Sequence, residues 1–432
     1  MAAAAGIAAP AGACAPPRGL ALERLRGLIL WLTVVCGAFV FMEPSPYEVA
    51  SLLAIVVFAL TGGLVLRPAL MGLALLLLAY NIGFSIAVIP LLGEQKPVTW
   101  VLVSWYLAVT SLFFAAALGR NTEQRLSLIV RGYLVAAAIA SLAGVAGYFS
   151  LLPGADLFLR YGRAQGTFND PNVLGAFIVP AALFALQRVF DGRPAQALRN
   201  AALFGLYVLA LLLTFSRGAW GQFALAAVLM TLLALATSTS PRERARIVLI
   251  AAFGLVLTAA FLAVLLSIGR IAELFEVRAS LEQSYDTGHT GRFGRHALGF
   301  VMALDRPLGL GPMQFHKFFG EDPHNAYLNA FVSGGWLAGF AYLTLTAVTL
   351  VRGLRLVVLP GPTRKACLAV YAAFAAVAVE SLIIDTDHWR HYFLLIGILW
   401  GLMAVASRPT PARAPEPRSA RPATLARQPL GA

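Results

Sequence analysis

The sequence predicts an all-α, polytopic integral membrane protein with about twelve transmembrane helices and one large extracytoplasmic loop. Three observations predict it. Of the 432 residues, 59% are hydrophobic and only 12% are charged, with a mean hydropathy of +0.78. A soluble globular chain carries about 25% charged residues. Apolar runs of the roughly 17 to 25 residues that cross a bilayer as helices recur along the chain. The charged residues are sorted between alternate loops.

Taken in order, the apolar runs fall at about 27–42, 47–66, 69–90, 98–119, 132–151, 172–190, 199–215, 219–238, 246–268, 332–351, 366–384 and 391–407. Some are joined by very short turns, such as Leu66-Arg67-Pro68. Residues 1–26 and the Pro-, Ala- and Arg-rich tail 408–432 read as disordered, cytoplasmic ends flanking a membrane domain of residues 27–407. No cleavable signal peptide is expected, because the first hydrophobic segment is long and flanked by basic residues. Cys14, Cys36 and Cys367 have neither metal-ligand nor disulfide spacing.

Orientation follows from the arginines and lysines of the short loops. With the N-terminus inside, the inner segments hold 22 basic and 5 acidic residues, and the outer segments 11 basic and 15 acidic ones. Both termini are therefore expected in the cytoplasm and the loop of residues 269–331 outside, periplasmic in a two-membrane bacterium. The net charge of +13 is then mostly topology. It is not a nucleic-acid footprint, because it is spread over inner loops and a tail rather than gathered on one folded face.

All six histidines fall on the outer side, and four of them (His289, His296, His316, His324) lie in the 269–331 loop. Histidine is the side chain best matched to proton transfer near neutrality, so the outer face is the expected reaction side. His388 and His391, beside Trp389 and Tyr392, read as interfacial aromatic-belt residues. Neither HxxxH nor HExxH spacing occurs, and no metal site is expected.

Three outer blocks carry the candidate chemistry. Arg163-Ala164-Gln165-Gly166-Thr167-Phe168-Asn169-Asp170-Pro171-Asn172 leads into a membrane helix, with Pro171 near its start and Asn169, Asp170 or Asn172 as its cap. Ser216-Arg217-Gly218 sits in a tight turn between two apolar runs. An arginine there is expensive unless it has a partner, which makes it a functional candidate. In the large loop, Gly291-Arg292-Phe293-Gly294-Arg295-His296 opens an amphipathic stretch expected to lie at the interface. Asp305-Arg306-Pro307-Leu308-Gly309-Leu310-Gly311 forms a turn without a Walker lysine. His324-Asn325 stands at the mouth of the next span, ahead of Gly334-Gly335, which suit close helix packing. Glu380, with Asp385 and Asp387 nearby, is an intramembrane carboxylate expected to pair with an outer-face arginine.

These blocks, in this order and on this side, resemble the O-antigen ligase and polymerase superfamily over residues 160–345. The resemblance implies a GT-C-like, metal-independent glycosyltransferase with no cofactor. It implies an undecaprenyl-diphosphate-linked glycan as donor and a lipid A-core sugar or glycan hydroxyl as acceptor, at the periplasmic face of a bacterial inner membrane. It assigns His324 as catalytic base or acceptor-orienting residue and Arg217 and Arg292 as first diphosphate contacts, with Arg163 next. Arg295 competes with Arg292 for the same role. Asn325, Gln165 and Asn172 are further substrate-contact candidates. Ligase and repeat-unit polymerase fit the blocks equally. A lipid-linked sugar transporter or flippase is the rival from another class, disfavoured because the two halves show no repeat and the polar residues gather at one face.

Overall fold

The computed structural model describes residues 18–42, 44–191, 194–279, 291–361 and 364–407. Fifteen α-helices occur among them. The first nine are α1 (Arg18–Cys36), α2 (Pro46–Leu60), α3 (Met71–Ala87), α4 (Gln95–Ala117), α5 (Thr122–Tyr148), α6 (Pro171–Asp191), α7 (Pro194–Leu213), α8 (Arg217–Thr237) and α9 (Pro241–Leu266). Then follow α10 (Gly269–Ala279), α11 (Arg292–Asp305), α12 (His316–Phe319), α13 (Ala326–Val358), α14 (Arg364–Glu380) and α15 (Arg390–Ala406). A two-stranded antiparallel hairpin, β1 (Leu159–Arg160) and β2 (Arg163–Ala164), precedes α6.

The chain is an all-α polytopic membrane protein. Each of the twelve apolar runs overlaps one of α1–α9 and α13–α15. Among the described residues, eight helices are long and apolar enough to span a bilayer: α3 with its preceding turn, α4 to α9, and α13. The apolar α2 and α15 are shorter, at 15 and 17 residues.

Burial accounts for the short α15, and α14 shares it. In α15 every residue from His391 to Ala404 is buried, and α14 is buried from Ala369 to Ala378. A helix apolar on all sides belongs in the core of the bundle rather than in lipid. The long α9, by contrast, exposes Val248, Leu249, Phe253, Leu255 and Val256 along its outer side.

Residues 18–26, read from the sequence as part of a disordered end, are helical. Their carboxylate gives the reason: Glu23 pairs with Arg26 at 3.1 Å and with the fully buried Arg125 of α5 at 2.8 Å. Arg125 also donates to the carbonyls of Gly63 and Ala117. A buried guanidinium needs such a complete set of acceptors, and the set requires α1 to extend back over Glu23. The tail 408–432 and His289 lie outside the described residues.

The large loop is structured where it is described. Helix α11 forms as the sequence predicts, turning Phe293, Phe300, Val301 and Leu304 outward and Arg295, Gly299 and Ala303 inward. The loop ends at Asn325 rather than near 331. Asn325 Oδ1 accepts from Leu328 N at 3.0 Å and so starts α13 six residues before the apolar run.

Candidate functional site

One end of the bundle gathers the start of α6, the α7–α8 turn, the start of α11, the start of α13 and the α14–α15 connection around a cavity of about 650 Å³. Arg163, Asn172, Arg217, Arg292 and His324 line it together with Arg278, Asp170 and Asp385. Residues spread over more than 200 positions thus share one wall. Among the described residues the lining holds four arginines and two aspartates, an excess of basic groups that suits a polyanion.

Each side chain has a local cause. Pro171 begins α6, and Asp170 Oδ1 accepts from Asn172 N at 2.6 Å, so the capping candidate that caps is Asp170. Asn172 Oδ1 accepts in turn from Arg163 Nη2 at 2.7 Å, while Arg163 Nε donates to the Thr214 carbonyl at 2.7 Å. Arg163 is buried and clamps the β-hairpin to the turn that presents Arg217. In that turn Phe215 takes a left-handed φ of +47°, and Ser216 caps α8 through Ala219 N. Arg217 is therefore the first residue of α8 and projects from the end of a helix whose N-terminus already favours anions.

Arg292 and Arg295 separate. Arg292 lines the cavity, whereas Arg295 is buried and pairs with Glu321 at 2.7 Å. Gln165 Nε2 donates to the Leu157 carbonyl at 3.2 Å and is not on the cavity wall. Asn325 spends its carbonyl oxygen on the α13 cap.

His324 has a left-handed φ of +52°, an uncommon conformation for a non-glycine residue. Its neighbours hold it there. His296 Nε2 contacts the Pro323 carbonyl at 2.8 Å, and Asn325 anchors the next residue to α13. Its Nδ1 lies 3.1 Å from Asp385 Oδ2. That hydrogen bond raises the His324 pKa above the usual imidazole value, against the opposing effect of burial. Burial lowers the pKa of His296. With Nδ1 turned to a carboxylate, Nε2 is the nitrogen left to exchange a proton with a substrate.

Asp385 is the partner that sequence reasoning placed only beside Glu380. It stands 61 residues from His324, and no local spacing links the two; the one signal was an acidic residue just beyond an apolar run. Asp387, two residues on, is buried and accepts from Asn329 Nδ2 at 3.1 Å. Arg278 was likewise not singled out.

Two expectations are corrected. Glu380 does not pair with an arginine among the described residues. The residue is 4% exposed, neither carboxyl oxygen has a hydrogen-bond partner there, and it lies against Gly218, where a Cβ would come within 2.8 Å of Oε1. Two arginines of the same end bond elsewhere: Arg163 as above, and Arg390 with Glu48 at 2.6 Å. His388 and His391 are not belt residues at an interface. His391 is buried beneath Trp389, and His388 packs on Trp100 with ring centroids 3.8 Å apart and Nε2 on the Trp100 carbonyl.

No cluster of three or more metal-ligating side chains occurs among the described residues. No curated protein matches the chain. A family model described as O-antigen ligase matches residues 202–343, about a third of the chain. The match takes in the Arg217 turn, α11 with Arg292, and His324, and leaves out Arg163 and Asp385. Over that segment the chain is similar to the O-antigen ligase family.

Proposed function

We propose that the protein is a metal-independent glycosyltransferase of the inner membrane, moving a glycan from undecaprenyl diphosphate to an acceptor hydroxyl at the periplasmic face, in the manner of an O-antigen ligase. The observation that carries this reading is the joining of the His324–Asp385 pair to Arg163, Arg217 and Arg292 around one cavity. In the proposed step, His324 Nε2 takes the acceptor hydroxyl proton as the oxygen attacks the anomeric carbon. The bond from that carbon to the diphosphate oxygen breaks, and its electron pair leaves with the diphosphate. The anomeric configuration inverts.

Arg217 and Arg292 receive the departing charge. Their fixed charge and forked donors match phosphate oxygens better than an ammonium does. Charge stabilisation of this kind lowers a barrier by a few kcal/mol. Arg163 acts mainly by holding the Arg217 turn in place. The acids fit a division of labour: Asp385 orients the base, while Asp170 is committed to the α6 cap.

The test is to delete the gene and complement it with wild type or His324→Ala, following glycan on the lipid carrier and on the cell surface. Loss of surface polymer with long chains retained on the carrier identifies a ligase. Accumulation of single repeat units identifies a polymerase. His324→Ala is expected to cut transfer by about 10²–10⁴-fold at wild-type expression, the range for a general base. Full rescue would remove His324 from the chemistry and favour transport.

A further inference from the structure

A second polar cavity lies at the opposite end of the bundle. Helix α8 begins with Arg217 at the candidate site and ends at Thr237. Antiparallel to it, α14 ends with Glu380 beside Gly218 and begins at Arg364. At about 1.5 Å per residue, these helices of 21 and 17 residues set the two ends roughly 25 to 30 Å apart. Here α6, α8, α9 and α14 enclose about 290 Å³.

Its wall carries Arg242, Arg246, Arg364 and Lys365 against a single carboxylate, Glu243. Lys365 Nζ lies 3.6 Å from Glu243 Oε1, so among the described residues three positive charges of this concavity have no carboxylate partner. Arg364 Nη2 donates to the Thr237 carbonyl at 2.9 Å and Arg246 Nη2 to that of Val189 at 3.3 Å. Each bond fixes a guanidinium while using one of its five N–H groups. Arg242 has no hydrogen-bonded protein acceptor among the described residues. Like charges held this close repel unless an anion joins them.

The rest of the lining says which anion. Below the cations the wall is apolar, with Ala234, Ile247 and Leu368. The helices flanking the opening expose Leu232, Val248 and Leu249 by 58%, 53% and 69%. Cations above an apolar floor, opening beside an apolar helix surface, fit a phosphodiester joined to a hydrocarbon chain rather than free phosphate.

We propose that this cavity binds the headgroup phosphate of an anionic phospholipid at the membrane face opposite the candidate site. The proposal does not depend on the glycosyltransferase reading. Two of its cations sit on α9 and two on α14, so a bound headgroup ties together helices that also reach the far end.

The full chain, purified in neutral detergent, would be unfolded by heat with phosphatidylglycerol, phosphatidylcholine or inorganic phosphate added. Phosphatidylglycerol is expected to raise the midpoint by several degrees and the other two to leave it in place. Arg242→Gln/Arg246→Gln is expected to lose most of that shift, and Arg24→Gln/Arg355→Gln, which removes two exposed charges elsewhere, to keep it. An equal shift in Arg242→Gln/Arg246→Gln overturns the proposal, as does a shift reproduced by inorganic phosphate. Should that variant fail to fold, native mass spectrometry of the wild type decides. Retention of phosphatidylglycerol over phosphatidylcholine supports the site, and no preference between them refutes it.

Discussion

A base that works near neutral pH needs its two ring nitrogens to do different jobs, and His324 has them assigned. Asp385 holds Nδ1, fixing the tautomer, and raises the pKa of the ring. The sign matters twice. A raised folded-state pKa contributes stability below the unfolded pKa that is lost as pH rises through the folded one. For catalysis the neutral ring is required, so activity falls as pH drops through the raised value. Asp385→Asn removes the charge, so the acid limb of the kcat/KM profile is expected to move to lower pH, with the plateau falling by about 10²-fold from a weaker, less oriented base. An unmoved limb in a folded variant would separate Asp385 from the titration. At this scale the sequence showed the arginines, because charge beside apolar runs is expensive. It did not choose between Arg292 and Arg295. Three residues apart, the two share a helix face, and only the fold turns one to the cavity and the other to Glu321.

Among the elements, α13 is the least legible and the most consequential. Its first two turns follow His324, and then the backbone breaks at Gly335, with φ +75° and ψ −176°. The break opens ladder positions that the loop turn fills: Leu310 N donates to the Val332 carbonyl at 2.8 Å, Gly311 N to that of Ser333 at 3.0 Å, and Trp336 N to that of Pro307 at 2.9 Å. The glycine pair reads in sequence as close helix packing. That holds for Gly334, which lies against Phe84 of α3, whereas Gly335 is the hinge itself. A Cβ on Gly335 would sit 2.5 Å from the Pro307 carbonyl oxygen, at a φ that side chains avoid. Gly335→Ala is therefore expected to cost about 1–3 kcal/mol from the backbone conformation alone, with the clash adding to it. A lowered thermal midpoint and lost transfer would follow together, since the docked turn leads directly to the segment bearing His324. Wild-type melting in Gly335→Ala would show that the loop does not need the break.

For the molecule as a whole, the sequence conveys class and polarity better than it conveys the count of crossings. Apolar runs mark twelve helices, but α2, α14 and α15 are short and the last two are buried, so hydropathy alone cannot say which of them meet both faces of a bilayer. The charge sorting is stronger, and it makes a prediction that the two cavities sharpen. If the inner segments carry the excess of arginine, the end with Arg242 and Arg364 is cytoplasmic and the end with His324 is periplasmic. His316, partly exposed, and Arg355, exposed, report on the two ends. In a chain with Cys14, Cys36 and Cys367 replaced by serine, His316→Cys is expected to react with a membrane-impermeant maleimide in cells whose outer membrane has been opened. Arg355→Cys should react only after the inner membrane is disrupted. The reverse pattern would place the four-arginine cavity in the cytoplasm, where a periplasmic acceptor never meets it, and a transferase acting on the outer face would no longer be tenable. The expected pattern would instead put the Arg217 and Arg292 side chains where the diphosphate of a lipid carrier is presented, and the basic cavity where anionic headgroups are concentrated.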